Sequence, residues 1–272
     1  MEYKLIALDM DATALTPEKR LSQRTAAAME KAIKAGKHVV FSTGRNISLV
    51  KPYMDEVAGM RYAVTGSGAA VNDIDSGKTL YENDIDPETV KWLICASAGI
   101  DLMPFIFIGD KAWCPTWAPE RAGEFQLADY AQTYRKYMTK AEDVFQMYME
   151  DPRPAQKVNF MFMDKDAKDE VYDKIKNLPI TFTTITPLSM EINAVGVSKA
   201  RGLKELCGHL GISMAECVTV GDAENDLEMI KAAGLGVAMG NAEPEVKAAA
   251  GAEVADCAHD GAAEAIERFL LG

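Results

Sequence analysis

This sequence predicts an α/β fold: a doubly wound parallel sheet interrupted by an inserted α+β domain. Three observations predict it. Apolar strand-like runs alternate with amphipathic helical segments over roughly the first 80 and the last 80 residues. The stretch between them loses that alternation. The 272-residue length leaves room for two modest domains, each with its own core.

The elements read off in order. "KLIAL" (Lys4 to Leu8) is apolar from Leu5 onward, as expected of a strand covered on both faces, and "SQRTAAAMEKAIKAG" is a helix with Gly36 as its stop. "KHVVFST" is a strand, "NISLVKPYMDEVA" a helix, and "RYAVTGSGAAV" a further strand and turn. From about residue 84 the pattern changes. "PETVKWLICASAG" is helical, "DLMPFIFIGDKAWCPTW" reads as a hairpin turning at Gly109-Asp110, and a helical stretch is expected over roughly 118–139. "KVNFMFMD", the helix "AKDEVYDKIKN", and paired strands around "ITFTTI" and "LSMEINAV" follow. The rhythm of the first part then resumes: helix "SKARGLKELCGHLG", strand "CVTVGD", helix "AENDLEMIKAAG", strand "GVAMG", and helices "PEVKAAA" and "GAAEAIERFLLG". The expected division is a core of residues 1–83 and 187–272 around an insertion of 84–186.

Composition narrows the function. A formal net charge of −12 argues against nucleic acid or an anionic membrane as partner. No apolar stretch approaches the ~20 residues that span a bilayer. The opening "MEYKLIALD" lacks a signal-peptide pattern, and five scattered cysteines without a CxxC pair read as reduced thiols. A cytoplasmic location is expected. With three isolated histidines, a histidine-based metal site is not.

Four loops carry chemistry, and each sits where a core strand ends or a core helix begins. "LDMDAT" places Asp9 and Asp11 one residue apart, on the same side of an extended chain. "FSTGRN" brings Ser42, Thr43, Gly44 and Arg45. Lys199 opens a helix after the insertion, and "VGDAENDLEM" brings Asp222, Asn225 and Asp226. A doubly wound sheet gathers such strand ends into one crevice. Three carboxylates (Asp9, Asp222, Asp226) in oxygen-only surroundings suit a hard cation such as Mg2+, which relieves their mutual repulsion. A carboxylate can attack phosphorus, and a neighbouring carboxylic acid can protonate the leaving oxygen. A transferring phosphoryl group also needs a cation and hydrogen-bond donors around its oxygens, and Thr43, Gly44, Lys199 and Asn225 supply them. Each loop alone has a plainer reading. A first-turn lysine capped by Ser198 is commonly solvated, "STGR" is a common turn, and "GDAEND" can be an acidic helix start.

In this order "DMDAT", "STGR", "SK" and "GDAEND" resemble the four motifs of the haloacid dehalogenase (HAD) superfamily. The large insertion, with "GSGAAV", "GVSKARGLKELCGHLGI" and "GLGVAMGNAEPEVKAAA", resembles the Cof-type sugar-phosphate phosphatases within it. The resemblance implies a Rossmann-like core with an α+β cap, and a Mg2+-dependent phosphatase of small phosphorylated metabolites working through an aspartyl-phosphate. It implies Asp9 as nucleophile and Asp11 as general acid/base. Thr43 with Gly44, Lys199 and Asn225 would hold the phosphoryl group. Mg2+ would be bound by Asp9, the Asp11 backbone carbonyl and Asp222, with Asp226 as a nearby acid. Arg45, next to Thr43, could orient the acids, touch substrate or form a structural ion pair, and Glu191 and Asn193 in the cap are candidate substrate contacts. A phosphomutase using the same nucleophile, or a non-catalytic binding protein on the same scaffold, are the alternatives. Isomerised product would mark the first, and absence of turnover and of metal binding the second.

Two departures from the family pattern bear on the structure. Ala12 stands where glycine follows the second aspartate, and it is strained if that position needs φ > 0. Ser67, in "GSGA", stands where the family has asparagine.

Overall fold

The computed structural model describes residues 2–183 and 186–272. They form two compact units. The first comprises the chain up to Arg45, Val50–Glu82 and Ser198–Gly272, and the second comprises Asn46–Leu49 and Asn83–Val197. The chain lays down β1 (Leu5–Leu8), β2 (His38–Ser42), β3 (Tyr62–Thr65), β4 (Ala70–Asp73) and β5 (Lys78–Glu82) in the first unit. In the second it forms β6 (Leu102–Ile108), β7 (Lys111–Pro115), β8 (Thr139–Ala141), β9 (Lys157–Phe162), β10 (Ile180–Thr183) and β11 (Ser189–Ala194). It returns to the first with β12 (Cys217–Gly221), β13 (Leu235–Ala238) and β14 (Ala252–Glu253).

The first unit is built on a sheet of order β14-β13-β12-β1-β2-β3-β4-β5. Pairing is parallel from β14 through β3, and antiparallel where β4 and β5 fold back. β1 lies in the middle, and all four of its residues are buried because helices cover both faces. On one face Leu5, Ala7, Val40 and Val64 pack with Leu203 and Leu206 of the helix Lys199–Leu210. Each fully buried leucine of this kind contributes ~1.5–3 kcal/mol by leaving water. The helix Gln23–Lys34 packs on β2; Ser22 caps its start by accepting from Thr25 N–H, and Gly36 follows its end at φ 78°.

The second unit has its own sheet, β10-β11-β9-β6-β7-β8, antiparallel except between β7 and β8. One face packs Ile106, Val158, Phe160, Phe162 and Ile192 against the helices Pro87–Ala96, Val144–Glu150 and Lys165–Ile175. The other packs Met103, Phe105, Phe107 and Met161 against Phe125 and Tyr134. The β6–β7 hairpin turns at Gly109-Asp110, as expected. The structure refines two expectations. The helical stretch of roughly 118–139 is present as a series of short pieces, Ala118–Arg121, Ala122–Phe125, Ala128–Tyr130 and Ala131–Tyr137, interrupted where Gln126 turns left-handed at φ 61°. The boundary expected at 187 lies at Val197, because β11 is hydrogen-bonded between β9 and β10. The end of "ITFTTI" (Thr184 and Ile185) lies outside the described residues. Among the described residues no helix is long and apolar enough to cross a membrane.

Candidate active site

The loop after β1 does not continue the strand. Asp9 is extended (φ −62°, ψ 163°), and the chain then folds tightly so that Ala14 N–H returns to Asp9 O and Leu15 N–H to Met10 O. The corner is Ala12, at φ 57° and ψ 11°. This is the left-handed region, where a Cβ costs ~1–2 kcal/mol. Glycine would remove that strain but loosen the unfolded chain by ~0.5–1 kcal/mol. Ala12→Gly is therefore expected to raise unfolding free energy in urea by a net ~0.5–1 kcal/mol; a fall would mean the corner stores no strain. Ser67 is likewise left-handed, at φ 64°.

The lysine that opens the helix Lys199–Leu210 is placed by backbone contact. In the β3–β4 turn, a Cβ on Gly68 (φ +99°) would lie 1.9 Å from Ser198 O, and one on Gly202 would lie 2.9 Å from Gly68 Cα. Only glycines let the turn and the helix start approach so closely. Ser198 caps the helix by accepting from Arg201 N–H. Lys199 is not solvated. It is 1 % exposed, and its Nζ donates to Asp9 Oδ1 and to Asp226 Oδ1, each at 2.7 Å, with Asn225 Oδ1 at 3.5 Å.

The loop after β12 is organised by Asp226, which the helix-start reading of "GDAEND" would leave facing water. It is fully buried, and its Oδ2 accepts from Asp222 N–H at 2.9 Å and Ala223 N–H at 3.2 Å. A Cβ on Gly221 would lie 2.4 Å from the Asp226 carboxyl, so glycine is needed there. Asp226, not Asp222, thus caps this turn. Asp222 is left to face the β1 loop, where its Oδ1 accepts from Thr13 Oγ1 at 2.7 Å. One carboxylate oxygen from each of Asp9, Asp222 and Asp226 falls within 4.8 Å of the others.

Three acids so close create an unbalanced field. Burial, opposed by Lys199 but reinforced by Asp226 and Asp222, pushes the Asp9 carboxyl up. Burial pushes Asp222 up to about 6, with Thr13 working against the rise. Burial likewise works against the Lys199 charge, but the Asp226 and Asp9 carboxylates outweigh it and hold the ammonium well above the usual lysine range. Among the described residues one ammonium, that of Lys199, meets this cluster of three carboxylates, and the donors are all hard oxygens. That set fits a divalent cation of the Mg2+ kind.

Asp11 behaves differently from its neighbour. Arg45 grips its carboxylate with two bonds, Nε to Oδ2 and Nη2 to Oδ1, both 2.8 Å, and Lys19 Nζ adds a third at 2.9 Å. Burial would raise this carboxyl, but the Arg45 charge and hydrogen bonds, joined by Lys19, hold it well below the usual carboxylate range. The Asp11 side chain therefore stands outside the acid cluster, and in this conformation it is an ionised base. Arg45 itself is buried over the Tyr53 ring, 5.3 Å from its centroid. Its two bonds to Asp11 are the acid-orienting ion pair named among its expected roles.

Thr43 follows β2, next to β1, and is 1 % exposed. Its N–H donates to Val64 O, its O accepts from Ser67 N–H, and its Oγ1 accepts from Arg45 N–H across Gly44. The first unit thus brings together Asp9, Lys199, Asp222, Asn225 and Asp226, and links Asp11 to the Thr43–Arg45 loop. Glu191 and Asn193 lie on β11 in the second unit. Glu191 is ion-paired with Lys157 on β9 and accepts from Asn159 Nδ2 at 3.4 Å, and Asn193 Nδ2 donates to Gln156 O at 2.8 Å. Glu191 thus meets residues of β9, and Asn193 the residue that precedes β9.

Sequence reasoning missed Thr13 and Lys19. Thr13 carried a signal, since it is two residues beyond Asp11 in the same loop. Lys19 carried none, because its approach to Asp11 depends on the left-handed turn at its own φ of 57°.

Residues 6–266 match the haloacid dehalogenase-like hydrolase family. The chain belongs to that family. The expected superfamily and its Cof-type branch are thereby confirmed. A Bacillus subtilis 5-amino-6-(5-phospho-D-ribitylamino)uracil phosphatase is 30% identical over 275 residues, covering 100% of this chain and 97% of its own. An HMP-PP phosphatase of Serratia proteamaculans is 30% identical over 255 residues, covering 90% and 86%. The crystal structure of a haloacid dehalogenase-like hydrolase from Bacteroides thetaiotaomicron superposes with a TM-score of 0.85 at 27% identity, covering 98% of this chain and 99% of its own. This hydrolase is a phosphatase of the same α/β architecture.

Proposed function

We propose that this hydrolase cleaves small phosphorylated metabolites, sugar phosphates among them, with Mg2+ and through an aspartyl-phosphate on Asp9. The observation that carries this reading is the placement of Lys199 Nζ at 2.7 Å from both Asp9 and Asp226, with Asp222 in the same cluster. Asp9, Asp222 and the Asp11 backbone carbonyl would hold the Mg2+, with Asp226 supporting them because its oxygens already serve Lys199 and two backbone amides. Bound there, the ion would supply positive charge to the phosphoryl oxygens and to the carboxylates.

The chain's own groups then divide the work. An Asp9 oxygen attacks phosphorus as the bond to the ester oxygen breaks, and Asp11 protonates that leaving oxygen. A water then attacks the same phosphorus and gives its proton to Asp11, so Asp9 is regenerated and phosphate leaves. Lys199, Asn225 and the Thr43–Gly44 loop hold the phosphoryl oxygens. To act as the acid, Asp11 must first part from Arg45 and Lys19 and take up a proton. The second unit, residues 83–197, is the natural seat of substrate choice, and a cytoplasmic location belongs to the same reading.

The test is phosphate release from a panel of phosphorylated sugars, nucleotides and cofactors, with and without Mg2+. Release that requires the metal is expected, with a ranked set of preferred esters. Isomerised product that depends on a bisphosphate activator would move the assignment to a mutase.

A further inference from the structure

We propose that Asn241 is a positioning residue for the metal-binding loop, holding the left-handed corner at Ala12 and through it the Thr13 hydroxyl against Asp222. The inference rests on the Mg2+ reading above.

Asn241 Nδ2 donates to Ala12 O at 2.9 Å, and its Oδ1 accepts from Cys257 N–H at 2.9 Å. Both ends of the amide are used, so its orientation is determined by its neighbours. The loop that carries it is tied to the acid strand at two points. Met239 N–H donates to Gly221 O at 3.1 Å, and Glu243 N–H donates to Asp222 O at 2.9 Å. Asn241 is therefore an arm mounted on the backbone of Asp222 itself, reaching across to the corner after Asp11.

That corner needs holding. Ala12 lies at φ 57°, where an alanine is strained, and the next residue is the one that orients Asp222, through Thr13 Oγ1 at 2.7 Å. If Ala12 relaxes to negative φ, the Asp11 carbonyl and the Thr13 hydroxyl both change direction. Groups that orient metal ligands typically change metal affinity 10–100-fold when lost. Asn241 is itself exposed and buries little, so its loss should hardly change global stability.

The experiment measures Mg2+ binding by calorimetry on the substrate-free protein, for the wild type, Asn241→Ala, Ala12→Gly and the double variant, each with its Tm. We expect Asn241→Ala to weaken Mg2+ binding about tenfold, with Tm within about 2 °C of the wild type. Ala12→Gly should rescue the double variant to within about threefold of the wild type, because glycine keeps the left-handed corner without the clamp. Unchanged Mg2+ affinity in Asn241→Ala overturns the inference. So does weakened binding that Ala12→Gly fails to rescue, which would mean that Asn241 acts by some other route. A wild-type protein that binds no Mg2+ overturns the metal reading and this inference with it.

Discussion

Asp9→Asn is expected to lower phosphate release at least ~10^4-fold while the protein stays folded. The amide has the shape of the carboxylate but cannot displace an ester oxygen from phosphorus, so the covalent route closes. Folding should survive because Asp9 is a liability to stability. It is buried, and burial and its two acidic neighbours push its pKa up even with Lys199 2.7 Å away. Neutralising it removes repulsion from Asp222 and Asp226, and leaves Lys199 bonded to Asp226 at 2.7 Å. Tm is expected to be no lower than that of the wild type. Phosphate release on the preferred ester, read beside thermal unfolding, checks both points. An Asp9→Asn protein that stays folded and retains more than a hundredth of wild-type turnover would remove Asp9 as nucleophile.

Lys199→Met is expected to damage both activity and stability. Lys199 is the cation bonded to both Asp9 and Asp226. Removing one partner of a buried ion pair commonly costs ~3–5 kcal/mol, because the remaining charge is left without compensation. Here the acids can take up protons, so the loss is expected toward the lower end, ~3 kcal/mol by urea unfolding. Mg2+ should restore part of it, since a divalent cation answers the same carboxylates. Activity should fall ~10^2–10^3-fold, the usual cost of losing one preorganised donor to developing negative charge. Lys199→Arg is not expected to rescue turnover, because the longer, planar guanidinium cannot place one nitrogen where Lys199 Nζ lies, 2.7 Å from both carboxylates, without displacing these buried acids. Stability and turnover both close to wild type in Lys199→Met would leave the lysine as a bystander.

The two variants separate functions that the geometry combines. Asp9→Asn keeps the fold and closes the chemistry, whereas Lys199→Met removes the charge that lets three acids share one cavity. The contrast follows from the ratio of charges, one ammonium against three carboxylates.

Much of this was legible in the amino-acid order. Continuous apolar runs such as "LIAL" belong to strands covered on both faces, and alternating β and α segments belong to a parallel sheet; both hold in the first unit. The placement of Asp9, Lys199 and Asp222 at strand ends and a helix start follows from that sheet, because its strands share a direction and their carboxyl ends share an edge. The doubt raised by Ala12 was also legible, since only the residue type was needed to ask whether φ is positive there, and it is.

Other features depended on side chains meeting across long separations in the chain. That Asp11 is gripped by Arg45 and Lys19, that Asp226 supports backbone amides, and that Glu191 is spent on Lys157 are results of packing. The sequence by itself determined the sheet, the four loops and the residue types that phosphoryl chemistry requires, because periodicity and turn chemistry are local. Only the tertiary structure decided which carboxylate is free to meet a cation and which is already paired. Charge pairing depends on distances of a few ångströms between residues as far apart as Lys199 and Asp9, and no local pattern in the chain encodes them.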